Sequence, residues 1–372
     1  MKAEHPEGHL GRPETRNYCG MTVSRRGMLA ASLGLAATSL NPRFGHAAAA
    51  PKPLPPGETR TIVLGVGGVD SEPAYLGAWA ALYGGYFEAL KKDGITVNVV
   101  PFPGGGADAI LGLTSGRTQI NYQSCENAIR AQTQGRDATI IYNAMPTPGV
   151  FIMARTALKD KVRSIADVKG LRWGVTAFGA SGHTDSLQAA QYGGVPPADI
   201  TWIALGGQAG LMPSVRQGRI DVFVATPQAR ALMLRDGLAY DLLDMFHLTN
   251  VSKIYPHGYA GLGFLSTRAY CDQNPFVAYK VVEALYKAVA DAEHTAPATI
   301  AAKLPAQFQT PVLVPTIATM LEGFSKDGYT EPEAIAAMTA DLLALKLIAK
   351  SVDPAIVVDN RFVEALRTEA PQ

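Results

Sequence analysis

Residues 99–124, VVPFPGGGADAILGLTSGRTQINYQS, and residues 201–226, TWIALGGQAGLMPSVRQGRIDVFVAT, share one plan. An ungapped shift that sets Gly104 on Gly206 also sets Gly105 on Gly207, Ala107 on Ala209, Gly116 on Gly218, Arg117 on Arg219, Ile120 on Val222 and Ser124 on Thr226. Each copy reads as a strand, a glycine-rich turn, a helix of about three turns, a Gly-Arg exit and a second strand, which is one βαβ unit. Two such units predict two similar lobes. A helix that starts right after a glycine turn aims unpaired N–H groups and the positive end of its dipole outward. In open α/β sheets, ligands lie at the carboxyl ends of the strands, where such loops gather. Glycines that only cap and turn would explain either loop alone, but their recurrence at matched positions favours two lobes facing a ligand.

With 372 residues, 47% hydrophobic and 17% charged, the chain is long enough for two globular domains. The first fifty residues read separately. Ser24-Arg25-Arg26-Gly27-Met28-Leu29 is a twin-arginine pattern, followed by a weakly apolar run over residues 28–40 and small residues at 47–50 that suit signal peptidase. The apolar run is too short to span a membrane, and no Cys follows it to carry a lipid. Residues 1–49 hold six of the 33 Lys and Arg and three of the 32 Asp and Glu, so the remainder carries 27 against 29. A balance of that kind argues against a nucleic-acid partner. The exported chain would keep Cys125 and Cys271, which could pair in an oxidising compartment but show no framework spacing.

After a proline-rich lead, residues 61–66 form a β-branched run ending among Gly65, Gly67 and Gly68. A dinucleotide fingerprint fails there, because Asp70 stands in the place of the third glycine. Residues 74–92 read as one helix with Trp79, Leu82, Tyr86 and Leu90 on one face, stopped by Asp93-Gly94. A helix at 126–134, a strand at 138–143 and a break at Met145-Pro146-Thr147-Pro148-Gly149 follow. Beyond it come strands at 150–155, 172–176, 202–204 and 220–224, with a helix from His183 and another to Gln217. A second break at 252–258 precedes a strand at 261–266 and a helical remainder. Two crossings fit a hinged two-domain clamp.

Ala81-Leu82-Tyr83-Gly84-Gly85-Tyr86-Phe87 with Gly94-Ile95-Thr96-Val97 resembles a stretch of the periplasmic binding proteins that serve sulfonate, taurine, nitrate and thiamine-precursor transporters, the NMT1/THI5-like group. The resemblance continues through residues 104–124, where Gln119 stands in place of the usual Asp that the second copy keeps as Asp221. It runs on through residues 165–170 and ends at residues 357–363. It implies a two-lobe periplasmic-binding-protein fold of type II, each lobe a mixed, mainly parallel α/β sheet flanked by helices with the ligand cleft at the hinge. The implied organisation is a twin-arginine signal at 1–49, lobe I at 50–147 and 258–372, and lobe II at 148–257. The implied activity is that of a monomeric extracytoplasmic subunit of an ABC importer, closing on a small organic solute (a sulfonate, an aromatic carboxylate or a nitrogen heterocycle) and docking on its permease, with no cofactor.

Candidate contacts are the loops at strand ends: Asp70, Ser71, Glu72 and Tyr75, then Gly104, Gly105, Gly106 and Ala107, then Ser124, Cys125, Glu126 and Asn127. In the second lobe they are residues 178–183, among them Gly179, Ala180 and Ser181, with Gln208, Thr226 and Gln228. Hydroxyls with helix N-termini suit an oxyanion and aromatics suit a ring, whereas Glu72 and Glu126 either cap their own helices or meet a cationic or hydroxyl-bearing part of the ligand. Ser181, His183 and Asp185 have the residue types of a triad, but two-residue spacing entering a helix makes their side chains diverge. Ser181 reads instead as a helix N-cap or a ligand contact. The histidines after residue 50, His183, His247, His257 and His294, show no metal-ligand spacing. Cys125, before a helix N-terminus, is the feature that favours an enzyme, since a few enzymes with this fold use a cysteine nucleophile. A ligand sensor docking on a receptor kinase is the third reading.

The twin-arginine reading makes the first prediction. Arg25→Lys with Arg26→Lys should leave precursor in the cytoplasm, as fractionation and immunoblotting would record, because that pathway reads the pair as an address. An unchanged exported yield would indicate the general secretory route.

Overall fold

The computed structural model describes residues 57–68 and 72–369; the twin-arginine segment, Asp70 and Ser71 lie outside the described residues. Strands β1 (Thr61–Val66), β2 (Thr96–Pro101), β3 (Ile120–Ser124) and β4 (Thr139–Met145) lead into β5 (Val150–Arg155), β6 (Arg172–Val175), β7 (Thr201–Ala204), β8 (Val222–Ala225), β9 (Ala239–Met245) and β10 (Leu262–Ser266). They form two sheets of the same design, β2-β1-β3-β10-β4 and β7-β6-β8-β5-β9. The repeated units occupy equivalent places, with β2 and β7 at an edge and β3 and β8 in the centre. In each sheet the antiparallel strand is the one that arrives from the other sheet, β10 in the first and β5 in the second. Residues 146–149 are far too few for a crossover helix within one sheet, so the chain passes to the second.

The two passages touch. The Gly261 N–H donates to the Met145 carbonyl over 3.0 Å, and a Cβ at Gly261 would stand 1.6 Å from the Thr147 carbonyl oxygen. Beside them an apolar cluster runs from Ile62, Tyr122 and Phe264 of the first sheet through Met145 to Phe151, Phe223 and Phe246 near the second. Phe151 stacks on Phe246 at 5.4 Å, and Phe246 lies against Gly323, where a Cβ would come within 2.6 Å of its ring.

Several expectations change. The helix expected over 74–92 is a 3₁₀ turn at Pro73–Tyr75, a helix at Leu76–Tyr83, a short helix at Tyr86–Ala89 and a second 3₁₀ turn at Leu90–Asp93. Gly85, at φ +85°, takes the left-handed turn that breaks it. The second repeat's helix is split into a 3₁₀ turn at Gln208–Gly210 and a helix at Leu211–Arg216. Strand β9 is an additional strand that the sequence pattern does not predict, and Cys125 and Cys271 are both buried and free.

The Gln119 departure has a physical explanation. The Gln119 side-chain oxygen accepts from the Val63 N–H of β1 at 2.8 Å, and the Asp221 carboxylate accepts from the Arg172 N–H of β6 at 3.1 Å. Both residues precede a central strand and tie it to its parallel neighbour, so the motif needs an acceptor and not a charge. Asp221 also holds Arg155 and Arg172. Burial alone would raise its carboxyl, but the hydrogen bonds from the two arginines outweigh that and hold it down near about 2. Its stabilising effect should therefore be full above the ordinary value of 3.8 and disappear as the pH falls toward about 2. In chemical denaturation at pH 7, Asp221→Asn should cost about 1.5–3 kcal/mol and Gln119→Ala about 1 kcal/mol. Only the first penalty should shrink in acid; equal, pH-independent penalties would refute the distinction.

Candidate functional site

The carboxyl ends of β1, β2 and β3 converge. A Cβ at Gly67 would come 3.1 Å from Gln123 Cβ and 3.5 Å from Gly106 Cα, and one at Gly106 would meet Asn127 Nδ2 at 2.4 Å. Asn127 donates to Gln123 Oε1 at 3.0 Å, which leaves Gln123 Nε2 buried without a partner. Asp108 folds back over Gly104, whose Cβ would stand 1.9 Å from its carboxylate. Gly105, at φ +83° and ψ −161°, caps the Gly106–Thr114 helix, and nothing lies within 4 Å of where its Cβ would be. Glu72 precedes the Pro73–Tyr75 turn; its Oε1 is buried without a partner, and burial pushes its pKa up to about 7 against a backbone hydrogen bond from Ala74.

The second half mirrors this arrangement. Gly207, at φ +111° with open space around it, donates its N–H to the Thr176 carbonyl at 3.1 Å. Gly182 passes so close to β8 that a Cβ would be 3.2 Å from Val224. Gly179, Ala180 and Ser181 start the Ser181–Tyr192 helix, with Ala180 and not Ser181 at the cap. Gln208 opens its 3₁₀ turn. Thr226 caps the helix at Pro227–Arg235, its hydroxyl accepting from the Ala229 N–H, with half-buried Gln228 beside it. Phe178, 62% exposed, meets the His183 ring edge-on at 5.4 Å, and His183 meets Trp202 in the same way. His183 Nδ1 accepts from the Gly179 N–H, so its ring proton is on Nε2, and burial and then the Arg130 charge lower its pKa.

The helices that follow β3 and β6 meet directly. Thr184 donates to Glu126 Oε1 and accepts from Arg130 Nη2, each over 3.1 Å, while Arg130 Nε pairs with the same carboxylate oxygen at 2.5 Å. Asp185 accepts from the Tyr259 hydroxyl at 3.3 Å and Gln188 from the Tyr255 hydroxyl at 2.8 Å. Asp185 is thus joined to the crossing segment and His183 to Gly179, so Ser181, His183 and Asp185 are not linked as a triad.

The first-lobe side chains expected at the ligand take different places. Cys125 is fully buried, its thiol directed at β10, where a Cβ on Gly263 would be 2.5 Å from it. Burial drives its pKa far up, so the thiol is held neutral and turned away from the loops at the strand ends. The Tyr75 hydroxyl donates to the Gly67 carbonyl and so serves the β1 turn. Glu126 is committed to Arg130 and Thr184. Ser124 ends β3 half-buried and Ala107 is exposed, while Ser71 is outside the described residues. The reading missed Gln123, Arg130, Thr184 and Tyr259. One signal was available: β3 reads INYQS, with Asn121 and Gln123 buried where the other copy has Phe223 and Ala225.

The charge of the loops is also one-sided. Residues 67–76, 102–107, 124–129, 176–184, 205–211 and 226–229 contain no Lys or Arg, but they hold Asp70, Glu72 and Glu126. Among the described residues no group of three or more His, Cys, Asp or Glu could hold a metal, and no helix is long and apolar enough to cross a membrane.

Two like sheets joined by paired passages, each with a glycine-turned helix after its edge strand, define the two-lobe periplasmic-binding-protein fold. Residues 72–298 match the family model described as NMT1/THI5 like, more than half of the chain, and the chain belongs to that family. Its fold resembles a structure from Bordetella bronchiseptica RB50 (23% identity, 84% of this chain and 99% of that one, TM-score 0.71). It also resembles the alkanesulfonate-binding protein SsuA of Xanthomonas axonopodis pv. citri bound to MOPS (22%, 82% and 99%, 0.64). A third similar structure is the periplasmic nitrate-binding protein NrtA of Synechocystis PCC 6803 (16%, 84% and 90%, 0.61). No curated protein matches the sequence.

Gly105 and Gly207 supply the next prediction. Each has a positive φ, so Gly105→Ala or Gly207→Ala should cost about 1–3 kcal/mol of stability through backbone strain. Because nothing stands in the way of the new methyl, both variants should keep a cooperative thermal melt. Loss of the cooperative transition would mean that the turns are packed and not open.

Proposed function

We propose that this protein is the extracytoplasmic solute-binding subunit of an ABC importer, working by closure of its two halves on a small organic solute. The observation that carries this reading is the matched pair of open glycine turns, at Gly105 and Gly207, on equivalent units of two like sheets between which the chain passes twice. Family membership supports it. So do the fold neighbours, one an alkanesulfonate-binding protein and another a nitrate-binding protein. The lobes would be residues 50–147 with 258–372, and 148–257, in a monomer exported through the twin-arginine signal to the periplasm and presented closed to a membrane permease.

The solute would differ from a bare oxyanion. Loops without Lys or Arg offer it backbone N–H groups, hydroxyls and amides, but no free cation. Glu72 Oε1 and Gln123 Nε2 are an acceptor and a donor buried without partners, and a solute with a donor nitrogen and an oxygen acceptor would satisfy both. Phe178, His183 and Trp202 would flank its ring or apolar body. An enzyme using Cys125 is disfavoured by the buried, neutral thiol.

A thermal-shift screen over sulfonates, aromatic carboxylates, nitrate and nitrogen heterocycles tests this. A true solute at 100 times its Kd should add about 2.7 kcal/mol of stability. Nitrogen heterocycles bearing donors should be the hits, and Glu72→Gln should weaken their binding by more than about tenfold, or about 1.4 kcal/mol. If nitrate or a simple sulfonate binds best and Glu72→Gln binds it unchanged, this solute class is wrong.

A further inference from the structure

Where the two halves meet, the structure buries more acid than base. Glu126 and Asp185 are each 2% exposed, one on the helix at Glu126–Thr133 behind the first sheet, the other on the helix at Ser181–Tyr192 behind the second. Arg130 is the cation that bonds within the cluster, reaching Glu126 Oε1 and the Thr184 hydroxyl across the junction. Glu126 Oε2 is buried and has no partner at all. The remaining polar groups facing the pair are His183, the Tyr259 hydroxyl on Asp185, Tyr255, and Asp341 of the helix at Pro332–Ala344. Two carboxylates against one guanidinium leave one surplus negative charge out of water, which is expensive unless a proton removes it.

We propose that closing the two halves takes up a proton at the Glu126–Asp185 pair, so that the solute-free protein closes as the pH falls and opens as it rises. The charge count and the cross-junction bonds carry it, with the contact between these two helices taken as the closed form. Moving the Ser181–Tyr192 helix away breaks both bonds of the Thr184 hydroxyl and admits water to both carboxylates, each of which can then ionise at its ordinary value. In the closed arrangement burial raises both carboxyls, with the Arg130 charge opposing that at Glu126 and the Glu126 charge reinforcing it at Asp185. A group whose value is raised in the closed form favours that form below its open-state value, and the preference is lost as the pH rises through the closed-state value. For one proton the ratio of closed to open protein changes by up to about tenfold per pH unit in that window.

Small-angle scattering of the exported, solute-free chain reads this directly. Between about pH 5 and about pH 8 the wild-type radius of gyration should grow. Asp185→Asn keeps the shape of the side chain but cannot ionise, so it should stay compact at both ends. Should that variant fail to fold, Glu126→Gln applies the same criterion. Thr184→Val removes the bridging hydroxyl and leaves both acids, so it should be more open at low pH yet keep the pH dependence. A constant wild-type radius would overturn the proposal. So would an Asp185→Asn protein that expands as the wild type does, since Glu72, which that variant leaves in place, would then be the titrating group. Because no solute is used, this outcome is independent of the importer reading, whose failure would appear as an empty thermal-shift screen.

Discussion

The close approach of Gly261 to the Thr147 carbonyl is the constraint on which the arrangement of the two sheets depends. The passages between them are a four-residue link and the segment after the helix at Leu248–Ile254, and they are held side by side by the Gly261 N–H on Met145. Any side chain at 261 would push them apart. The Gly261 carbonyl in turn accepts from the Cys125 N–H at 2.7 Å, fixing where the helix bearing Glu126 and Arg130 begins. One backbone contact therefore sets both the pivot and the start of the helix that faces the other half across it.

Much of this was legible because the chain states it twice. The glycines at 105, 206 and 207, and those of the Gly-Arg pairs at 116 and 218, all have positive φ, so backbone geometry selects the residue there. Less was legible where tertiary contact decides. The helix that starts at Leu76 stops because Gly85 turns left-handed, although the apolar spacing continues through it to Leu90. Strand β9 is only partly buried, an outer strand that gains its place from pairing with β5, and its sequence AYDLLDM lacks a clean alternation. In the site, the loops could be placed from sequence but the side chains could not. Cys125 and Glu126 are neighbours, yet one points into β10 and the other toward the opposite half, a difference set by the register of β10 against β3.

Comparing the two copies shows which positions the sheets need better than either copy alone. At 119 and 221 the residue types differ but the hydrogen bond is the same, so the position belongs to the sheet. At 121 and 123 the first copy has buried amides where the second has Phe223 and Ala225. Asn121 donates to the Ala109 carbonyl and so anchors the helix that follows β2, and Gln123 accepts from Asn127 of the helix that follows β3, each leaving one buried amide atom without a partner. Both amides therefore tie β3 to a neighbouring helix, a task that Phe223 and Ala225 do not perform in the other copy.

A buried ion cluster is weak evidence for stability, because desolvation usually offsets the attraction and an apolar replacement would hold the halves together at least as well. Here the alternative is visible in the same molecule. Phe246 against Gly323 and Met145 joins the two halves with apolar surface alone. An apolar contact favours closure under nearly all conditions, whereas a cluster with one carboxylate too many favours it only while a proton is bound. Having both at one junction divides the work. The apolar contact keeps the halves associated about the passages, and the Glu126–Arg130–Thr184–Asp185 cluster lies where the free energy of closing and opening can stay near balance. In the importer proposed above, a solute making a few hydrogen bonds would then decide between the two forms, since a ligand shifts an equilibrium only by its differential affinity.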